Sequence, residues 1–292
     1  MQSFRCMKSL VIALCLVISF YPQSSHSMPL KNMKVHFIDV GQGDSILIQT
    51  PNDKSILIDG GPPKSGKKVV RYLKKQNIHS LNLVIATHPD MDHIGGLPSV
   101  MKEIEVEKIM DSGKIHITKA YARYLSQIKK QHIPTKIASE NEKIMIDPLI
   151  DITILNAYSK GKNNNESSLA LKITYDEIDF LLMGDIEKEQ EKKIMDKYEL
   201  DAEILKVAHH GSKTSSSYEF FKEVKPEIAM ITYSKNNHYG HPVDRVIDTI
   251  FKVNAQIYST AVFGNVVVYT SGDDYFIMPE KSPLQGMYKK TS

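Results

Sequence analysis

The segment 87–96 concentrates side chains that can bind a metal ion. It contains four such side chains within six residues: His88, Asp90, Asp92 and His93. His88 and Asp90 are two residues apart, so an extended chain would point both to one side. A turn after Met91 would aim Asp92 and His93 at a second point. The pattern indicates metal-assisted chemistry, and the alternative is a solvated polar loop of accidental composition.

The position of this segment supports the metal interpretation. Residues 83–86 form a continuous apolar run, which is typical of a strand buried on both faces. Loops at strand exits place functional groups over a rigid sheet. Gly95 and Gly96 follow, where the absence of a side chain lets the backbone pass close to its neighbours and begin the next helix.

The rest of the chain alternates short apolar strands with amphipathic helices. Periodicity predicts strands at 35–40, 45–50, 55–59, 83–86, 151–155, 169–175, 180–183, 204–208, 228–232 and 266–269. It predicts helices at 67–76, 119–130, 187–197, 218–223 and 244–253. No linker divides the pattern, so we expect one domain over 28–280, with helices on the outer faces of its sheets, and a flexible tail over 281–292.

The first 27 residues have the three parts of an export signal. Arg5 and Lys8 precede an uncharged apolar run at 9–21, and small residues stand before Met28. This pattern predicts a secretory signal peptide over 1–27 and a secreted or extracytoplasmic enzyme with no stable membrane span after its removal. The alternative is a membrane tether by an uncleaved signal, although the run is short of the roughly 20 residues of a bilayer span.

Both cysteines, Cys6 and Cys15, lie in this predicted signal. The mature chain would therefore hold any metal through His, Asp or Glu. Without Arg5 and Lys8 the formal net charge of +3 becomes +1. A nearly neutral protein gives no electrostatic reason to expect strong nonspecific binding to nucleic acid.

The motif at 88–93 resembles the metallo-β-lactamase superfamily signature His-x-His-x-Asp-His, with Asp90 at the usual place of the second histidine. The same replacement is found in the hydrolase domain of ComEC-type competence (DNA-uptake) proteins, which this chain resembles. Segments that resemble the same branch follow in order at 37–45, 57–61, 165–169, 183–187, 206–212 and 237–242. The resemblance implies an α/β fold, an αββα sandwich of two mixed β-sheets flanked by helices.

The resemblance also implies a ligand set for two divalent ions: His88, Asp90, Asp92, His93, Asp185 and His210. His88 and Asp90 would bind the first ion, and Asp92 and His93 the second. Asp185 would bridge the two, although it could instead cap the following helix. Asp59 would hold a ligand in orientation, and the alternative is a plain strand-end turn.

His209 and His210 are adjacent, so which of the two binds the metal is left open by the motif. His210 precedes a glycine, as the ligand at this strand end commonly does in the superfamily, so His210 is assigned to the second ion and His209 to substrate contact. The family's third histidine of the first site is missing, and Asn165 and Ser168 stand in its region. His241 could complete that site or act as an acid, and the alternative is a surface turn residue before Pro242.

The implied activity is hydrolysis by a hydroxide that bridges two metal ions. Zinc is the first expectation, and manganese is the alternative because Asp90 makes the first site richer in oxygen. Asp92 could help to accept the proton of the water. The serine-rich loop at 212–217 could bind phosphate through Ser212 and Lys213, or could be a solvated loop, and Asn237 is a further predicted substrate contact.

We expect a phosphodiesterase or nuclease that acts on DNA or on a phosphate-bearing envelope polymer. No long apolar run follows the signal, which favours a free secreted enzyme over a transport pore. Hydrolysis of a β-lactam or lactone is a second hypothesis, and a binding module without catalysis is a third. The sequence leaves the oligomeric state open.

Overall fold

The computed structural model describes residues 32–160 and 162–282, so the predicted signal peptide and most of the predicted tail lie outside the described residues. The strands are β1 (Met33–Phe37), β2 (Ile46–Gln49), β3 (Ser55–Ile58), β4 (Ser80–Leu81), β5 (Leu83–Ala86), β6 (Glu105–Val106), β7 (Ile109–Asp111), β8 (Thr135–Ile137), β9 (Asp151–Asn156), β10 (Ala170–Tyr175), β11 (Ile178–Leu182), β12 (Ile204–Lys206), β13 (Ile228–Ile231), β14 (Gln256–Ser259), β15 (Val266–Thr270) and β16 (Tyr275–Pro279). The helices are α1 (Gly66–Lys75), α2 (Met91–Ile94), α3 (Leu97–Glu103), α4 (Lys119–Gln131), α5 (Lys188–Met195), α6 (Tyr218–Val224), α7 (Asp244–Lys252) and α8 (Thr260–Phe263), with 3-10 turns at Pro63–Ser65 and Ala208–Gly211.

Two large mixed sheets are built from these strands. The first has the order β16-β15-β1-β2-β3-β5-β7-β8, antiparallel from β16 to β3 and parallel from β3 to β8. The second has the order β14-β13-β12-β11-β10-β9, parallel from β14 to β11 and antiparallel beyond it. Strands β4 and β6 form a small parallel pair.

Alternation along the strands sends apolar side chains to both faces of each sheet. One face of each sheet meets the other in a shared core, to which Phe37 and Phe180 contribute fully buried rings. Burying each such ring contributes about 1.5–3 kcal/mol. The opposite faces are covered by α1, α3 and α4 on the first sheet and by α5, α6 and α7 on the second. The four layers confirm the predicted αββα sandwich.

Most of the predicted elements are present, with boundaries that move by a few residues. The turn expected after Met91 is the short helix α2. A Cβ on Gly96 would lie 1.9 Å from the carbonyl oxygen of Gly60, which confirms the expected close approach of the backbone. Strands β4, β6, β7, β8, β14 and β16 were not predicted. In the part of the chain that the structure describes, no helix combines the length and the apolar character needed to cross a membrane.

The fold directs several loops to one end of the sandwich. In the first sheet, residues 59 and 87–93 follow the carboxyl ends of the parallel strands β3 and β5. In the second, residues 183–187, 207–212 and 232 follow β11, β12 and β13. Because the carboxyl ends of parallel strands lie at one edge of a sheet, these loops meet there. A Cβ on Gly43 would lie 2.1 Å from the carbonyl oxygen of Asp92, so glycine is required where two of the loops pack together.

Candidate metal centre

Three histidines bring their Nε2 atoms to one region between the sheets. His88 follows β5, His93 lies in α2, and His210 lies in the turn after β12. All three residues are at most 1% exposed. The rings of His88 and His93 are 4.1 Å apart, and those of His93 and His210 are 5.4 Å apart. The structure therefore joins residues that are separated by as many as 122 positions in the sequence.

Asp59 orients His93. Its Oδ2 accepts a hydrogen bond from Nδ1 of His93 at 2.7 Å. The same carboxylate accepts bonds from the backbone N–H and the hydroxyl of Thr87, at 2.9 Å and 2.6 Å. With its Nδ1 held by Asp59, His93 points Nε2 toward the centre, where Nε2 would bind an ion in exchange for its proton. The predicted contact between Asp59 and a candidate ligand is confirmed.

The other two rings are oriented by neutral oxygens. Nδ1 of His210 donates to the carbonyl oxygen of Thr232 at 2.7 Å. Nδ1 of His88 lies 3.1 Å from the hydroxyl of Thr87 and 3.3 Å from that of Ser168. These contacts favour a proton on Nδ1 and point Nε2 toward the centre, where it would be available to bind an ion.

The Nε2 atoms of the three histidines have no hydrogen-bond partner among the residues that the structure describes, and Oδ1 of Asp185 has none either. Buried polar atoms in folded proteins are nearly always hydrogen-bonded. Four unpartnered electron-pair donors at one point match the nitrogen and oxygen donors that a divalent ion takes from a protein. The residues present therefore fit a metal centre.

Asp185 lies at the middle of this arrangement. Its Oδ2 is 3.3 Å from Nε2 of His93, 3.7 Å from Nε2 of His210 and 3.9 Å from Nε2 of His88. It does not cap the next helix, because α5 begins at Lys188 and its N-cap residue is Glu187. The helix-cap alternative is excluded for this side chain, and its central position is compatible with a bridge.

The motif aspartates flank the histidines on the open side. Oδ2 of Asp92 is 3.5 Å from Nε2 of His210, and Oδ2 of Asp90 is 3.6 Å from Nε2 of His88. Of the four groups of candidate ligand atoms that lie within 4.8 Å of one another in the described residues, two consist of predicted ligands alone: His88, His93 and Asp185 in one, Asp92, His93 and His210 in the other. The predicted ligand Asp90 is in none of the four. A single ion with ligand distances of about 2.0–2.2 Å could lie between such atoms.

The electrostatics of the centre favour a cation. Burial raises the pKa of Asp92, but the nearby rings of His210 and His93 outweigh burial and lower that pKa below its ordinary value. Asp185 behaves in the same way, with His93 and His210 as the opposing charges. Burial lowers the pKa of His93, but Asp185 and Asp59 raise it well above the ordinary value. Ionised carboxylates are thus concentrated where water is excluded.

Amide and hydroxyl groups contact the candidate ligands Asp90 and His88. Nδ2 of Asn164 donates to Oδ1 of Asp90 at 2.6 Å and lies 3.5 Å from Nε2 of His116. Ser168 lies behind His88 and accepts a bond from the backbone N–H of Asp185 at 3.1 Å. Sequence reasoning named Asn165 and Ser168 in this region but missed Asn164, which no spacing in this polar loop distinguishes.

His209 and His241 lie at the mouth of the centre. Nε2 of His209 is 3.8 Å from Oδ2 of Asp185, and its ring is 5.5 Å from that of His241. His209 belongs to neither group of candidate ligand atoms, whereas His210 does, so the geometry favours His210 as the ligand. Burial and the charge of His209 lower the pKa of His241 to about 4, so this ring is neutral at pH 7.

The cavity over the centre has a volume of about 90 Å³. Its lining residues are Gln42, Asp90, Asp92, Asn165, Asp185, His209, His210, Tyr239 and His241. Gln42 and Tyr239 were not among the predicted site residues. Tyr239 is 69% exposed and stacks on His241 with ring centroids 5.6 Å apart.

Three predicted substrate contacts lie outside this lining. The Asn237 side chain donates to the carbonyls of Ser234 and His241 and accepts from the backbone of Tyr239 and His241, so it holds the loop that carries His241. Ser212 is buried against Thr214, and Lys213 is exposed. Their contact with substrate stays a prediction.

The metallo-beta-lactamase superfamily profile matches residues 38–234. The chain belongs to this superfamily. Three bacterial relatives extend the match. ComE operon protein 3 of Bacillus subtilis is 28% identical over 80% of this chain and 32% of its own length. Recombination protein 2 of Haemophilus influenzae is 25% identical over 96% of this chain and 34% of its own length. Competence protein ComA of Neisseria gonorrhoeae is 26% identical over 80% of this chain and 32% of its own length. The ComEC-type resemblance is confirmed, and the chain spans about one third of the length of these relatives.

Solved structures support the superfamily fold. CmlA, a diiron β-hydroxylase of Streptomyces venezuelae, aligns with a TM-score of 0.52 and 10% identity over 77% of this chain and 52% of its own. A protein of Parabacteroides distasonis described as a metal-dependent hydrolase aligns with a TM-score of 0.50 and 15% identity over 78% of this chain and 93% of its own.

Proposed function

We propose that this metallo-β-lactamase superfamily protein is an exported phosphodiesterase that uses two divalent ions to cleave DNA or a phosphate-bearing envelope polymer. The observation that carries the metal part is the convergence of three buried, unpartnered Nε2 atoms on Asp185. Zinc is the first candidate because three imidazoles are present, and manganese is the alternative because carboxylates supply the remaining donors.

Two groups of side chains would hold the ions. His88 and Asp90 face one position, Asp92, His93 and His210 face the other, and Asp185 is close to both. When bound, the ions would supply an activated water and neutralise charge on the substrate oxygens. The protein itself fixes the rings through Asp59, Thr87 and Thr232, so little reorganisation would be needed when ions bind.

The shape of the cavity favours one phosphate group of a larger molecule. Its volume of about 90 Å³ is well below the roughly 300–1,000 Å³ of pockets that enclose a small ligand. Its mouth is lined by polar groups such as His209, Asn165 and Gln42, which can donate hydrogen bonds to phosphate oxygens. A small cavity whose lining is mostly polar or charged suits one phosphate of a polymer better than the apolar parts of a β-lactam.

Export rests on the sequence pattern of residues 1–27, and N-terminal sequencing of the protein from culture fluid would test it. A mature chain that begins at Met28 is the expected result. A chain that keeps its first residues and stays with the cell membrane would replace this part of the proposal by the tethered form.

A substrate panel tests the activity. The purified protein would be loaded with zinc or manganese and assayed on bis-p-nitrophenyl phosphate, single-stranded DNA, duplex DNA, RNA and a chromogenic β-lactam. We expect phosphodiester cleavage that is lost in Asp185→Asn and kept in Asp196→Asn, which makes the same change at an exposed carboxylate after α5. Preference for the β-lactam would overturn the substrate class. No bound metal and no turnover would favour a binding module.

A further inference from the structure

A buried lysine without an assigned role lies close to the candidate ligand His210. Nζ of Lys206 is 2.5 Å from Oδ2 of Asp44, and the two side chains are 0% and 3% exposed. A lysine is almost never fully buried unless it is paired, because removing its charge from water is costly. Neither residue belongs to the predicted ligand set, so the pair calls for another explanation.

The pair is connected to His210 through Thr232. Oδ1 of Asp44 accepts a hydrogen bond from the hydroxyl of Thr232 at 2.5 Å. The carbonyl oxygen of Thr232 accepts from Nδ1 of His210 at 2.7 Å. Thr232 is 1% exposed, so water does not compete for these bonds. The orientation of the His210 ring therefore depends on a residue that the Asp44 carboxylate holds in place.

Asp44 also ties the two sheets together at the metal centre. Lys206 ends β12 and Thr232 follows β13, both in the second sheet, whereas Asp44 precedes β2 of the first sheet. The backbone N–H of Asp44 donates to the carbonyl of Asp92 at 3.2 Å. One residue thus fixes the loop of a candidate ligand in each half of the sandwich.

The contacts argue against Asp44 as an additional metal ligand. Its carboxylate lies within 4.8 Å of ligand atoms of Asp185 and His210. However, one of its oxygens is bonded to Thr232 and the other is paired with an ammonium group. A cation placed at that oxygen would be repelled by the lysine at short range. Lys206 occupies the position at which a metal would otherwise compensate the charge of Asp44.

The arrangement parallels the support of His93. There, Asp59 holds the ring directly and also binds Thr87. Here, Asp44 holds Thr232, which holds the ring. We infer that Asp44, Thr232 and Lys206 form a positioning group for His210, in which the lysine balances the buried carboxylate and keeps it from binding a metal. This inference rests on the metal centre proposed above.

Removal of the threonine hydroxyl is the mildest test. Thr232→Val keeps the shape of the side chain and loses the hydroxyl that bonds Asp44 and lies 3.3 Å from Nδ1 of His210, whereas Thr232→Ser keeps that hydroxyl. Zinc affinity would be measured by competition with a chromophoric chelator, together with urea unfolding of the metal-free protein. We expect Thr232→Val to weaken one of the two bound zinc ions by about 10- to 100-fold, as is typical when a partner of a metal-binding histidine is removed. Thr232→Ser should stay close to the parent.

The charged pair is tested by the double variant Asp44→Asn/Lys206→Met, which removes both charges and leaves neither unpaired. It should weaken the same zinc ion while the metal-free protein still unfolds cooperatively. A matched control is Lys172→Met/Asp179→Asn, a lysine–aspartate pair at 2.8 Å in the same sheet, where Asp179 likewise binds a threonine, Thr174. The control should bind both ions like the parent.

The outcomes separate the two proposals. If the parent binds two zinc ions and Thr232→Val binds both with the same affinities as the parent, the positioning group is disproved and the metal centre stands. The same conclusion follows if the control double variant loses zinc affinity to the same extent. If the parent binds no zinc or manganese, both proposals fail. If the Asp44→Asn/Lys206→Met protein does not fold, the zinc affinities of Thr232→Val and Thr232→Ser decide whether the positioning group exists.

Discussion

The candidate centre has two unequal halves. In the inner half, formed by His93 and His210, each Nδ1 donates to a buried oxygen at 2.7 Å. In the outer half, formed by His88 and Asp90, the ring contacts hydroxyls at 3.1 Å and 3.3 Å. The Asp90 side chain is 33% exposed and is held by the single amide of Asn164. The inner half is therefore the better preorganised one.

This difference suggests how affinity is distributed between two ions. Metal-binding side chains that are already fixed lose little conformational freedom on binding, so the inner half should fill first. The carboxylate of the outer half, Asp90, is slightly more exposed than Asp92 (33% against 27%), and the outer ring is held by hydroxyls alone. An outer ion that exchanges readily would be the consequence. Variants in each half should therefore change the affinities of the two ions differently.

The largest effect is expected where the halves meet. Asp185→Asn removes the carboxylate charge whose Oδ2 lies 3.3–3.9 Å from all three rings. We expect kcat on the preferred phosphodiester to fall by about 10²- to 10³-fold or more, the range for loss of one electrostatic contact in an active site. Metal content should fall in both halves. Activity within threefold of the parent would show that Asp185 serves neither half.

Metal removal should destabilise the whole fold. An ion at 100 times its dissociation constant adds about 2.7 kcal/mol to the free energy of unfolding. Without ions, the carboxylates of Asp92 and Asp185 lose the cations that they would bind. Urea unfolding with and without a chelator would measure the difference, and Asp185→Asn should respond much less. Identical curves for the parent in both conditions would contradict the assignment of a resident metal.

Asp59→Asn should act mainly on the inner half. The amide can keep one acceptor oxygen, but it loses the charge that supports Nδ1 of His93 and the hydroxyl of Thr87. A decrease in metal affinity of about 10- to 100-fold is expected for such a change. Competition titration would show the tighter of two ions weakened. If only the more weakly bound ion were affected, the assignment of the tighter ion to the inner half would be wrong.

The smallest effect is expected from Asn164→Ala. It removes the donor to Asp90, a hydrogen bond to a charged group worth about 1.5 kcal/mol before solvent screening, so a loss of roughly fivefold in affinity for the outer ion is expected. The inner ion should bind as before. Zinc titration of this variant beside the parent checks both statements. Equal weakening of both ions would mean that the halves are not independent.

Local pattern made much of the fold predictable. Strand β5 was predicted at its observed bounds because its apolar run is continuous. Strand β8 was missed because its three residues, at the edge of the first sheet, are all exposed and carry no apolar alternation. The ligand motif could be read from 88–93 since its residues are adjacent in sequence.

Apart from Asp59, the supporting residues could not be predicted in the same way. Asp44 and Thr232 are 188 positions apart, and only the packing of the two sheets brings them together. Lys206 looks in sequence like a solvated residue at a strand end, yet it is fully buried. Asn164 is one of three consecutive asparagines, and which of them reaches Asp90 depends on the path of the loop.

Anomalous diffraction from crystals of the protein grown with zinc would locate the ions. We expect two peaks, one among Asp92, His93 and His210 and a second beside His88 and Asp90, with Asp185 in contact with both. The first peak should have the higher occupancy. Zinc found elsewhere on the chain, while the three Nε2 atoms contact no ion under zinc-replete conditions, would contradict this expectation.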